Sequence, residues 1–261
     1  MELNQQDIEL FKQKFQAIKE LGWVPNRRPG NDGGVGNTLE DYLEIVENNL
    51  GLPDFGEWEL KSQRSRTTSL LTLFHREPEP RSVRFVPSIA LPLYGWPHAE
   101  AGTRHPITER SFRATLNNNY SVRGLRVGID RDRQQIFVEF NASQVSDAYS
   151  QWKAEVKASV GLDDFNPRPF WSFETLENIL ENKIKNLLYF RVETKKEGDQ
   201  EFYKYSNFEA YINPSLENFL RLINEGSIYV DFDARTGHNH GTKFRIKPNK
   251  KKELYSALVE I

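Results

Sequence analysis

Asp54-Phe55-Gly56-Glu57-Trp58-Glu59-Leu60-Lys61 carries the densest chemical signal in the chain. From Phe55 to Ser62 the residues alternate, with Phe55, Glu57, Glu59 and Lys61 on one side and Trp58 and Leu60 on the other. This period of two predicts a strand, because successive Cβ atoms of an extended chain leave opposite faces. Glu59 and Lys61 then share a face, and Asp54, just ahead of the strand, can turn back towards them. Carboxylates of Asp54 and Glu59, with the main-chain carbonyl of Leu60, suit an octahedral Mg²⁺ (or Mn²⁺ in its place) that keeps several waters. Hydrolysis of a phosphodiester needs a Lewis acid, an activated water and a cation against the growing negative charge. Lys61 can supply that last charge. A half-exposed strand with alternating charges would carry the same residue types, so the flanking sequence has to decide.

On the N-terminal side, Ile8, Leu10, Phe11, Phe15, Ile18 and Leu21 recur at helical spacing, and Gly22 and Pro25 end that helix. A glycine-rich loop with a basic start, Arg27 to Gly36, follows; it lacks the Gly-x-x-x-x-Gly-Lys-Ser/Thr pattern of a nucleotide loop. Asn37 or Thr38 is expected to cap a second helix, with Asp41 completing a capping box. That helix turns Leu39, Tyr42, Leu43 and Val46 inward and frays at Asn48-Asn49. Glu40 rides on it and can face the same site to orient water, although an acid near a helix N-terminus is also favoured by the dipole alone. After Lys61, the run Ser62-Gln63-Arg64-Ser65-Arg66-Thr67-Thr68-Ser69 offers hydroxyl, amide and guanidinium groups of the kind that track a phosphate backbone.

Further along, strands are expected at 69–75, 110–116, 125–129, 135–140, 189–194, 202–212, 228–235 and 242–246. Helices are expected at 144–160, 175–188, 215–224 and 251–259, with Asn141-Ala142-Ser143 as the polar start of the first of these. The mixed order predicts an α/β or α+β fold. A chain of 261 residues can bury a sizeable core, and a break near 141–175 would divide it into lobes of 1–140 and 141–261.

Composition narrows the classes. Lys and Arg number 35 against 37 Asp and Glu, so any nucleic-acid contact must use local basic clusters. The absence of cysteine excludes disulfides, thiolate zinc sites and cysteine nucleophiles, and fits a reducing cytoplasm. The N-terminus lacks the features of an export signal, and no run approaches ~18 apolar residues, so a cytoplasmic protein without membrane contact is expected. Neither Gly-x-Ser-x-Gly nor His-Glu-x-x-His occurs.

Gly34-Val35-Gly36-Asn37-Thr38-Leu39-Glu40-Asp41-Tyr42-Leu43, Asn48-Asn49-Leu50 and Pro53-Asp54 through Lys61-Ser62 together resemble the MvaI/BcnI family of type II restriction endonucleases. These are relatives of the mismatch-repair nickase MutH in the PD-(D/E)XK superfamily. The match is strongest over residues 33–76, and Asp231 to Arg245 resembles the family's C-terminal region. The resemblance implies a MutH-like PD-(D/E)XK core with two lobes forming a DNA-binding cleft. It implies Asp54 and Glu59 as metal ligands, Lys61 as the catalytic lysine and Glu40 as the helix-borne acid. It further implies a prokaryotic monomer that cuts double-stranded DNA one strand at a time at a CCNGG-type site (CCWGG or CCSGG), with a cognate DNA methyltransferase as genetic partner.

Bases would be read from Asp231 to Arg245. Arginine can contact guanine in bidentate fashion and aspartate can accept from the cytosine amino group, which nominates Asp233 and Arg235. Lys243 and Arg245 can serve bases or phosphates, and Asp231, His238 and His240 complete the segment, the histidines and aspartates also forming an alternative metal set. His75 can offer a donor to the minor groove, and Arg123 leads an arginine-rich region with Arg104, Arg110, Arg113 and Arg126. Lys247 and Lys250 to Lys252 are candidate phosphate contacts. Three other functions remain open at this stage: a MutH-like nickase, a structure-selective or RNA-cutting nuclease, and a DNA-binding module without catalysis.

Overall fold

A computed structural model describes residues 5–31, 33–45 and 52–259. Asp32, Val46, Asn48, Asn49 and Leu50 lie outside them, and with them the expected inward Val46 and the fraying helix end. The chain opens with α1 (Gln5–Leu21), β1 (Trp23–Pro25), α2 (Gly34–Leu43), β2 (Trp58–Arg64) and β3 (Leu71–His75). Next come α3 (Leu91–Tyr94), β4 (Trp96–Pro97), β5 (Arg110–Leu116), β6 (Arg123–Asp130), β7 (Gln135–Val145) and α4 (Ser150–Val160). Then follow β8 (Phe170–Ser172), α5 (Phe173–Asn182), β9 (Asn186–Glu197), β10 (Gln200–Lys204) and β11 (Phe208–Pro214). The last are α6 (Leu216–Asn224), β12 (Ile228–Arg235), β13 (His238–Ile246) and β14 (Tyr255–Val259). The fold is mixed α/β, as expected.

The chain forms two compact units from interleaved segments. One comprises Met1–Leu71, Glu177–Ser215 and Lys251–Ile261, the other Thr72–Leu176 and Leu216–Lys250. The expected boundary between residues 140 and 141 is therefore corrected. The physical reason is that β2 pairs in parallel with β9, from Trp58 opposite Asn186 to Arg64 opposite Val192. Parallel neighbours need a long crossover, so the N-terminal segment finds its partner far downstream.

In the first unit the sheet runs β1-β10-β9-β11-β14, with β2 added on β9. Leu187, Leu188, Tyr189 and Phe190 are consecutive and all buried, as a strand covered on both faces requires. The stripe Phe11, Phe15 and Ile18 of α1, with Leu39 and Leu43 of α2, closes one core with Trp58, Leu60, Leu188 and Phe190. Leu10 and Leu21 fall off that stripe and stay exposed, against expectation. In α2 the helix starts at Gly34 with Gly33 as its cap, earlier than expected. Thr38 is instead buried and accepts the Arg27 N–H at 3.2 Å, while Asp41 pairs with Arg28 at 2.7 Å.

The second unit holds a five-stranded sheet, β3-β13-β12-β5-β4, and a three-stranded one, β6-β7-β8. Alternation in β12 buries Val230, Phe232 and Ala234, so Tyr229, Asp231, Asp233 and Arg235 line the other face.

Several expected elements change type. The final helix over 251–259 is a 3₁₀ turn, Pro248–Glu253, followed by β14, because β11 offers Tyr255 to Val259 an antiparallel edge. β7 continues through Asn141-Ala142-Ser143 to Val145, so that tripeptide is strand rather than helix start. The expected helix 175–188 stops at Asn182 because the following residues are claimed by β9. The single strand expected at 202–212 is two, β10 and β11, broken at Tyr205 to Asn207. No helix among the described residues is long and apolar enough to cross a membrane.

Phe190 is fully buried and its ring lies 5.5 Å from that of Phe15 and 5.6 Å from that of Phe208. Phe190→Ala should lower unfolding free energy by about 3–5 kcal/mol in a urea titration, the cost of an unfilled aromatic cavity.

Candidate active site

The turn before β2 sets the site. Phe55 and Trp58 exchange backbone hydrogen bonds at 2.9 and 2.8 Å, and Gly56 takes φ +55°, a left-handed value that glycine adopts freely. The strand consequently starts at Trp58, and Phe55 and Glu57 are turn residues, not part of the alternating face. Phe55 packs edge-on to Phe11, and Glu57 pairs with Lys185 at 3.1 Å. The turn brings Asp54 back along β2, where its Oδ2 accepts the Leu60 N–H at 2.8 Å.

Glu59 is 1% exposed. Its Oε1 accepts from Lys61 Nζ at 2.5 Å, and Lys183 Nζ stands 3.9 Å from the same oxygen. Its Oε2 is buried with no hydrogen-bond partner. Burial raises the Glu59 carboxyl above the usual range; Lys61 opposes this and the Asp54 charge adds to it. The Tyr255 hydroxyl is likewise buried and without a partner, and its phenol is pushed up first by burial and then by the negative charge of Glu59. A buried carboxylate oxygen without a partner costs free energy. A hard divalent cation is the partner that oxygen ligands such as Asp54, Glu59 and the Leu60 carbonyl suit. The residues present therefore fit such an ion.

Glu40 is half-buried on α2. Its carboxylate lies beside Gly36 and close enough to Tyr205 to help raise that phenol, after burial and two neighbouring tyrosines. Ser62 lies in β2 as the alternation predicted, and the strand runs on through Gln63 and Arg64, so that only the later residues of the polar run lie outside it. Gln63 accepts the Tyr189 hydroxyl at 3.0 Å, and Arg64 binds Glu201 at 3.1 Å. Lys183 escaped the sequence reading altogether, since nothing in its local pattern marks a residue just past a helix end as a neighbour of β2.

In the second unit, the polar face of the five-stranded sheet gathers the expected base readers into an ion-pair lattice. Asp231 accepts from Thr115 at 2.7 Å and Arg245 at 3.1 Å. Asp233 binds Arg113 at 2.9 Å and Lys243 at 3.1 Å. Burial pushes the Asp233 carboxyl up, but Lys243, Arg113 and His240 together outweigh it and hold it below the usual range. Arg235 pairs with Glu109 at 2.9 Å. His238 and His240 are exposed on β13, and His75 is exposed at the end of β3. Arg123 is packed differently, its guanidinium 4.0 Å over Trp96 and 4.2 Å over Tyr149.

The alternative metal set of His238, His240, Asp231 and Asp233 is not what the structure groups. Among the described residues, metal-ligand spacing occurs instead at His98, Glu100 and His105, whose candidate atoms lie within 4.8 Å of one another. His98 Nδ1 already accepts the Glu100 N–H at 3.1 Å, which leaves the proton of a neutral ring on Nε2.

The MvaI/BcnI restriction endonuclease family matches residues 12–255. A solved complex of the restriction endonuclease MvaI with cognate DNA substrate is 26% identical, with TM-score 0.76 over 96% of each chain. MvaI in the absence of DNA is 26% identical, with TM-score 0.53 over 99% of each chain. No curated protein matches the chain. Family match and structural likeness thus define a DNA-hydrolysing enzyme of the type II, site-specific class. The chain belongs to the MvaI/BcnI restriction endonuclease family.

Because its carboxyl is raised in the folded protein, Glu59 holds a proton more tightly there than in the unfolded chain. Metal-free protein should lose stability as pH rises from the ordinary value of 4.5 through the raised one. Mn²⁺ at about a hundredfold over its Kd should add about 2.7 kcal/mol at neutral pH, and the gain should shrink in acid as protons compete. Glu59→Gln should abolish the gain; unfolding curves with and without metal check both statements.

Proposed function

We propose that this enzyme cuts both strands of duplex DNA at a short CCNGG-type sequence, CCWGG or CCSGG. It acts as a monomer that nicks one strand and then the other, with Mg²⁺ as cofactor and Mn²⁺ able to replace it. The observation that carries the chemistry is the buried, partnerless Oε2 of Glu59 beside Asp54, with Lys61 on the other oxygen. The sequence preference and the monomeric action rest on the family resemblance. A DNA methyltransferase of matching specificity would be its genetic partner.

When bound, Mg²⁺ supplies a Lewis acid for the scissile phosphate and makes a bound water more acidic. Asp54, Glu59 and the Leu60 carbonyl would hold the ion. Lys61, displaced from Glu59, donates to a phosphate oxygen and orients the attacking water. Glu40 on α2 helps position that water. The first unit is the catalytic one. In the second, Asp233 and Arg235 read base edges, Lys243 and Arg245 serve bases or phosphates beside Asp231, and His75, His238 and His240 supply further donors. Ser62, Gln63, Arg64 and Arg123 support the duplex backbone. Their ion pairs keep Asp231, Asp233, Arg235, Lys243 and Arg245 ordered before DNA arrives, which reduces the entropy lost on binding.

Purified enzyme, supercoiled plasmid and Mg²⁺ provide the test, with sequencing of the cut ends. Nicked and then linear DNA with ends at one CCNGG-type sequence is expected. Lys61→Ala should cut at least about 100-fold more slowly while still binding duplex in Ca²⁺. Nicks that require a second protein, ends without a common sequence, or metal-insensitive binding without cutting would each overturn the reading. Asp233→Ala or Arg235→Ala should cost about 1–3 kcal/mol of discrimination at one base pair, read from cleavage of single-substituted duplexes.

A further inference from the structure

We infer that Lys183 is a second catalytic cation of the nuclease centre, parked on Glu59 until a scissile phosphate draws it away. The inference rests on the metal-nuclease reading of Asp54, Glu59 and Lys61. Its structural basis lies in how α5 ends and β9 begins. The N–H groups of Lys183 and Ile184 both donate to the Ile179 carbonyl, at 2.9 and 3.2 Å, closing the helix. Three residues after Lys183, Asn186 enters β9 level with Trp58 of β2. This parallel entry delivers Lys183 and Lys185 to the same end of the sheet as the Asp54 turn. Lys185 binds Glu57 at 3.1 Å, and Lys183 reaches inward to Glu59.

The two lysines on Glu59 are not equivalent. Lys61 takes Oε1 at 2.5 Å, a direct hydrogen bond. Lys183 stands 3.9 Å from that oxygen, too far for one. Its attraction is purely Coulombic, and its side chain is 26% exposed, so leaving Glu59 sacrifices little. A carboxylate that only needed neutralising would be satisfied by Lys61.

Charge counting gives the second ammonium its role. Asp54 and Glu59 balance Lys61 and Lys183, and a divalent ion then turns the pocket positive. As water attacks phosphorus, the bond to the departing deoxyribose oxygen breaks and negative charge grows on the phosphate oxygens. Lys183 neutralises part of that charge by hydrogen bonding to a non-bridging oxygen; no proton passes through it. An ordered cation placed where charge develops contributes to rate rather than to ground-state binding.

Lys183→Gln and Lys183→Arg test this on a duplex carrying the sequence that wild type cuts. Single-turnover cleavage in Mg²⁺ should slow by about 100-fold in Lys183→Gln and return to within about tenfold of wild type in Lys183→Arg. Affinity for the same duplex in Ca²⁺ should stay within about threefold. Mn²⁺ affinity without DNA, followed by electron paramagnetic resonance, should tighten by about 3- to 10-fold in Lys183→Gln, because a repelling charge is gone. Slower cutting with tighter metal binding is a combination that loss of structure does not produce. Wild-type cleavage by Lys183→Gln, or parallel weakening of metal binding and cleavage, overturns the inference. Failure of wild type itself to cut with Mg²⁺ instead overturns the reading of the centre.

Discussion

The parallel pairing of β2 with β9 is the constraint on which the site depends. It holds Trp58 and Leu60 in the core built with α1 and α2 and leaves Glu59, which alternates with them, buried on the opposite face of β2. A charged carboxylate is held there because Lys61, next but one along the strand, reaches back to one of its oxygens. The other oxygen is left without a partner. Fold and function meet in that one side chain: the packing that stabilises the unit also creates an electrostatic demand that a divalent ion can meet. Asp54 shares the site only because the Gly56 turn folds the chain back on β2.

The second unit uses charge in the opposite way. Across β5, β12 and β13 the polar side chains of one face satisfy one another in pairs, Arg113 and Lys243 on Asp233, Thr115 and Arg245 on Asp231. Such a lattice holds each donor and acceptor in a fixed direction. For reading base edges, fixed direction matters more than total charge. Under the proposed function, this is the face that would meet base edges in a chain of net charge -2.

The acid pair and its lysine were legible in the sequence because their placement is local. Alternation gave the shared face of Glu59 and Lys61, and proximity gave Asp54. What was misread depends on distant partners or on turn geometry. Phe55 and Glu57 fit the alternation and yet belong to a turn. Thr38 looked like a cap but is buried under the Arg27 backbone. Tyr255 to Val259 is strand only because β11 lies beside it. The unit boundaries were hidden for the same reason, since β9 joins β2 across about half of the chain. Lys183 has no local signature; only the end of α5 and the entry of β9 bring it to Glu59.

Anomalous diffraction from crystals grown with Mn²⁺ and a cognate duplex tests the central claim most directly. The account predicts a manganese peak about 2.1 Å from an Asp54 oxygen, Glu59 Oε2 and the Leu60 carbonyl, with a phosphate oxygen and waters completing the octahedral shell. A peak held by His98, Glu100 and His105, with Glu59 Oε2 still without a partner, would contradict it.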